Sequence, residues 1–152
     1  MNTPSQEETL LFANLPVESV ERTREFFSAL GFTFDPMFSG HENVCMKLSS
    51  MASVMFLQRQ RFADFTPRTI ANAHETSEVL MCVSRKSRED VDTVTEKALS
   101  MGAKEVREPQ EHGFMYGRSV SDPDGHIWEF MWMDIDQFPG CSAESAAEQT
   151  AS

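Results

Sequence analysis

A chain of 152 residues carrying a formal net charge of −11 can bury one ordinary core or two small modules sharing a sheet. The acidic balance leaves no basic face for nucleic acid or an anionic membrane, and a hydrophobic share of 40% with 24% charged residues excludes a disordered chain. No apolar run is long enough to span a bilayer, and the opening MNTPSQEET has acids where a signal peptide has bases, so a cytoplasmic location is expected.

Residues 1–8 read as an N-terminal arm, and 9–17, TLLFANLPV, as an apolar strand. ESVERTREFFSALGF then places Val20, Thr23, Phe27 and Leu30 three and four residues apart, the spacing of a helix with one buried stripe. Ser19 is its N-cap, and Gly31 stands where helices end in the left-handed conformation. FTFDP, VCMKLS and VMFLQRQ follow as three short strands separated by turn residues, completing a βαβββ module over 9–60. Residues 61–76 lack a clean period, contain Pro67 and read as a linker with some local helix.

The order then repeats over 77–134. EVLMCVS is a strand, and SREDVDTVTEKALSMG a helix capped by Ser87, with Val91, Val94 and Ala98 on one stripe and Gly102 at its end. KEVREP, FMYGRSVSD and HIWEFMWMD supply three strands, the last two joined through DPDG. Such an internal repeat predicts an α+β fold of two tandem βαβββ modules. Residues 135–152 are small and polar and are expected to be disordered. Cys45, Cys82 and Cys141 are widely separated, without CxxC spacing, which suggests neither disulfides nor a zinc cluster; Cys45 and Cys82 read as buried thiols.

NLPVESVERTREFFSALGF, EHGFMYGRS and DPDGHIWEFMWMD, set in paired βαβββ modules, resemble the vicinal oxygen chelate superfamily of glyoxalases, bleomycin and fosfomycin resistance proteins and extradiol dioxygenases. The wording is most similar to a bacterial branch labelled predicted lactoylglutathione lyase. This resemblance implies a curved, cup-like mixed sheet with helices outside, closed around a divalent metal such as nickel, zinc or manganese, with one ligand from the first and last strands of each module. It also implies a homodimer and a small-molecule ligand.

Carried onto this chain, the last-strand position of the second module falls on Glu129, an acid inside an apolar run, as metal ligand or general base. The first-strand position of that module falls near Glu78, while the two positions of the first module fall on Phe12 and Phe56, whose rings cannot ligate. The ligand set is therefore incomplete, no cofactor is expected, and the leading reading is a binding protein with an apolar cup. The alternative is a metal-dependent glyoxalase-type lyase or isomerase. An ionised Glu129 among aromatic rings would need a donor. Asn14 shares the parity of Phe12 and either faces the ligand or satisfies local backbone beside Pro16. Tyr116 and Arg118 alternate near the DPDG turn. Arg118 either pairs with Glu129, binds an anionic ligand or is a solvated edge residue, and Tyr116 either lines the site or packs in the core. His126 lies three residues from Glu129, an odd spacing that places the two on opposite faces of a strand. Asp122 and Asp124 read as turn formers, and His41 and His74 as exposed.

Overall fold

The computed structural model describes residues 8–137, which divide into two compact units: 8–78 together with 122–126, and 79–121 together with 127–137. The first contains β1 (Leu11–Val17), α1 (Val20–Ala29), β2 (Thr33–Phe34), a 3-10 turn (Pro36–Phe38), β3 (Asn43–Lys47), β4 (Ala52–Gln58) and α2 (Arg59–Ala63). The second contains β5 (Leu80–Ser84), α3 (Arg88–Ser100), β6 (Lys104–Glu111), β7 (Met115–Ser121) and β8 (Ile127–Met133). Each holds an open four-stranded mixed sheet, in the orders β1-β4-β3-β2 and β5-β8-β7-β6, with its first and last strands parallel and the rest antiparallel. This is the α+β architecture of two βαβββ modules expected from the repeat.

Local chemistry explains the helices. The Ser19 hydroxyl accepts the Arg22 N–H at 3.2 Å, and the Ser87 hydroxyl accepts the Asp90 N–H at 3.1 Å, each satisfying one of the donors that a helix start leaves open. Gly31 and Gly102 end the two helices at φ of +97° and +94°, a region closed to most L side chains. Val20, Thr23, Phe26 and Phe27 of α1 are buried, as are Val91, Val94, Thr95 and Ala98 of α3. The sheets meet these stripes with alternate residues. Val54 and Phe56 of β4 are fully buried, with the Phe56 ring stacked on Phe27 at 5.1 Å; Trp128 and Phe130 of β8 are fully buried in the second unit.

Three expectations need correction. β6 continues through Pro109 and Gln110 to Glu111 instead of turning there, because it is the outer strand of its sheet, where a missing N–H costs no ladder bond. Residues 135–137, placed with the disordered tail, form a 3-10 turn (Ile135–Gln137) tied to Asp134. Cys45 is buried as expected, but Cys82 is exposed, since it stands on edge strand β5 on the face turned away from the helix. The arm at 1–7, the rest of the tail and Cys141 lie outside the described residues.

Candidate functional site

A sheet that buries one face against its helix presents every second side chain on the other. In β8 the buried positions are Trp128 and Phe130, so Ile127, Glu129 and Met131 occupy the opposite face. The register aligns Glu129 with Ser119 on β7 and with Cys82 on β5, and Ser119 in turn with Arg107 on β6. Arg107, Ser119, Glu129 and Cys82 thus form one row across the sheet.

The row has unmet chemistry. Glu129, with 26% of its side chain exposed, has Arg107 as its ion-pair partner at 3.6 Å, a distance beyond a good hydrogen bond. The Ser119 hydroxyl is buried without a hydrogen-bond partner among the described residues. Together with Gln110, His112 and Met131 these residues line a cavity of about 90 Å³ on the second unit. Partial burial and the Glu129 charge push the Cys82 thiol above its ordinary range, so it stands beside the carboxylate as a neutral thiol at neutral pH. A bulged stretch of β6, with register shifts on either side of Arg107, brings that guanidinium to the row.

The donor that Glu129 needs is therefore Arg107, which periodicity did not reveal because a bulge resets strand parity. Arg118 does not pair with Glu129. It shares the helix face with Phe130 and contacts Glu96 at 2.7 Å, Glu105 at 3.1 Å and Asp92 at 3.2 Å. Burial opposes its charge, yet the three carboxylates hold the guanidinium above its usual range. Tyr116 also turns to the helix, its hydroxyl donating to Asp92 at 2.6 Å; burial, followed by that hydrogen bond, pushes it up to about 12.

The remaining expected positions scatter. Phe56 is a core residue against Phe27, because the expected register was one residue out; Met55, across from Asn14, holds the open-face position. Phe12 and Asn14 do lie on the face of β1 opposite its buried residues, and Phe12 makes an edge contact with Phe38 at 6.1 Å. Among the described residues the Asn14 amide reaches only the Phe12 carbonyl, at 3.5 Å. Glu78 precedes β5 and is exposed, and the strand position in register with Glu129 is Cys82.

The metal-binding pattern can be tested against these donors. Met55 and Asn14 stand in the first unit where Glu129 and Cys82 stand in the second. Among the described residues no group of three or more His, Cys, Asp or Glu side chains is placed to hold a metal ion. The Met55 thioether is a poor donor for a hard divalent ion, so even with the Asn14 amide oxygen counted the first unit offers a single suitable donor in this row. The donor set does not fit the two-ligands-per-module arrangement.

Comparison with known proteins gives the same architecture. No curated protein matches the sequence. Among solved structures, hypothetical protein SA1046 from S. aureus superposes with a TM-score of 0.69 at 25% identity, covering 80% of this chain and 92% of its own. A glyoxalase-related enzyme from Fulvimarina pelagi superposes with a TM-score of 0.71 at 16% identity, covering 84% and 90%. A glyoxalase/bleomycin resistance protein/dioxygenase family enzyme from Burkholderia phytofirmans PsJN gives 0.68 at 15% identity, covering 82% and 98%. At identities of 15% and 16% the last two speak for the fold alone. The family model for the glyoxalase/bleomycin resistance protein/dioxygenase superfamily matches residues 9–130, and the chain belongs to that superfamily.

Proposed function

We propose that the protein binds a small molecule on the open face of its second unit, with Glu129 at the floor of the site and without a complete set of metal ligands. The observation that carries this reading is the row of Arg107, Ser119 and Glu129 along one cavity: a loosely held ion pair beside a hydroxyl with no partner among the described residues. Groups in that state gain hydrogen bonds when a polar ligand arrives. Met115 and Met131 add pliable apolar wall for a planar or aromatic body.

The cavity of about 90 Å³ is well below the 300 Å³ or more typical of small-molecule sites, so further walls are needed. A second chain is the proposed source. Phe12, Met37 and Phe38 leave apolar surface exposed on the first unit, which supports a homodimer, and sedimentation would check it. Cytoplasmic residence belongs to the same proposal and is open to cell fractionation.

A second reading is glyoxalase-type lyase or isomerase chemistry of the lactoylglutathione lyase kind. It is favoured by Glu129 making no hydrogen bond among the described residues, which leaves its oxygens available to remove a proton next to a carbonyl. Elemental analysis with titration of nickel, zinc and manganese, followed by ligand binding and turnover of Glu129→Gln, separates the two. Binding without stoichiometric metal or turnover supports the first reading. Turnover lost with Glu129 while affinity is kept supports the second.

A further inference from the structure

Gly117 lies in the middle of β7 on the open face, in register with Gln110 of β6 on one side and Met131 of β8 on the other. A glycine inside a strand weakens it, because the backbone loses more freedom on folding and no side chain is contributed to packing. Neither usual structural reason for glycine applies here. Its φ is not positive, and the nearest atoms a Cβ would meet are the Phe130 carbonyl oxygen at 3.5 Å and Met131 side-chain carbons at 3.9 Å, both ordinary contacts. The missing side chain instead leaves bare peptide in the wall of the Glu129 cavity, beside Met115 on its own strand and Met131 on the next. Glycine in such a setting marks a place where a ligand approaches the backbone closely.

The charged pair of the same cavity is within reach of solvent. Glu129 is 26% exposed and makes no hydrogen bond among the described residues, and Arg107, 58% exposed, stands 3.6 Å from it. A carboxylate only accepts hydrogen bonds and a guanidinium only donates them, so the pair offers an acceptor and a donor side by side. A cation at Glu129 has to displace Arg107 from the same carboxylate. An anion at Arg107 has to face Glu129, Glu108 and the −11 net charge of the chain. Arg118, which also borders the cavity, is already held by Asp92, Glu96 and Glu105. A neutral ligand meets both members of the pair and opposes neither.

Building on the Glu129 site proposed above, we infer that its ligand is a flat, uncharged heterocycle carrying an N–H beside a ring carbonyl, the edge shared by pyridones, cyclic imides and pyrimidinediones. The N–H donates to Glu129 and the carbonyl accepts from Arg107, two charge-assisted hydrogen bonds. The ring lies over the Gly117 peptide, with the Met115 and Met131 thioethers against it. Because the ring fixes donor and acceptor on one edge, little conformational freedom is lost on binding. The cavity of about 90 Å³ takes that edge and leaves the far side of the ring toward its mouth. Gly117 sets the specificity, since any side chain there occupies the space of the ring.

The test is a titration of the full chain with 2-pyridone, N-methyl-2-pyridone, benzamidine and benzoate, with the methionine methyl resonances followed by NMR. 2-Pyridone should move Met115 and Met131 and leave the core residue Met46 in place. It should bind at least tenfold more tightly than its N-methyl form, which lacks the donor, and than either charged ring. Gly117→Ala should weaken 2-pyridone binding about tenfold without lowering the melting temperature, and Glu129→Gln should weaken it about tenfold. Benzamidine or benzoate binding more tightly than 2-pyridone, with the same dependence on Glu129, would overturn this ligand class and leave the Glu129 site standing. So would 2-pyridone affinity indifferent to Gly117→Ala, or a melting temperature lowered by that change, since the glycine would then be serving the strand. Unmoved Met115 and Met131 signals with all four probes would overturn the proposal, and binding indifferent to Glu129→Gln would overturn the Glu129 site with it.

Discussion

The two units share an order of elements, a sheet topology and a helix-facing parity, but they differ at the middle of their open faces. Asn14 and Met55 sit in register in the first unit; Cys82 and Glu129 sit in register in the second. Beside Glu129 the next strand adds the Ser119 hydroxyl, which has no partner among the described residues, and β6 adds Arg107. Helix-facing residues are constrained by packing, and in both units the fully buried strand positions against the helix, Val54 and Phe56 in one and Trp128 and Phe130 in the other, are aromatic or aliphatic. The open face carries no such constraint, and there one module keeps a polar row while the other keeps an amide beside a thioether.

If the helix-facing layers are equivalent, Phe56→Ala and Phe130→Ala should each cost roughly 3–5 kcal/mol in denaturant unfolding, since both rings are fully buried. A cost under about 1 kcal/mol for either would show that its unit does not depend on that layer. On the open faces the units should part: Glu129→Gln should weaken small-molecule binding about tenfold, or 1.4 kcal/mol, while Asn14→Ala leaves it within about twofold. Equal effects would remove the asymmetry. Arg107→Gln should weaken the same binding by a smaller factor, about threefold, because its side chain is 58% exposed and its ion pair is long.

A further contrast concerns the helices. The first turn of α3 carries Asp90, bound by Arg85 at 2.9 and 3.0 Å, and these bonds hold its carboxyl below the usual carboxylate range. A depressed folded-state pKa contributes stability above the ordinary aspartate value, near 4, and loses it as pH falls through the folded value. Asp90→Asn should therefore cost about 1 kcal/mol at neutral pH, and its gap from the parent should close in acid melts. The smallest expected effect comes from Tyr116, the chain's single tyrosine. Its phenolate absorbance should appear near pH 12. A raised folded-state value stabilises fully below the ordinary tyrosine pKa and is lost as pH rises through about 12, so Tyr116→Phe should matter little above it. A midpoint near 10 would mean that neither the burial of the ring hydroxyl nor its Asp92 bond persists in solution.

Strand and helix order were readable because periodicity, Ser caps and the glycines at 31 and 102 are local signals. The same parity argument separated Glu129 from His126 and from the buried Trp128 and Phe130. It misplaced Phe56, since a one-residue register error exchanges the two faces of a strand and nothing within VMFLQRQ pins the register. Arg107 was hidden by the bulged stretch of β6, and Cys82 by the true start of β5 at Leu80. The sequence leaves Arg118 open between Glu129, an anionic ligand and solvent, because the carboxylates that claim it come from α3 and β6, more than ten positions away in the chain.

Alone, the sequence determined the repeated βαβββ order, the α+β class and the side of β8 on which Glu129 lies, all of which follow from spacing along the chain. Tertiary structure decided what meets that carboxylate and which arginine is already spent. Those outcomes depend on contacts between residues remote in sequence, where strand register and turn packing set the distances and periodicity carries no information.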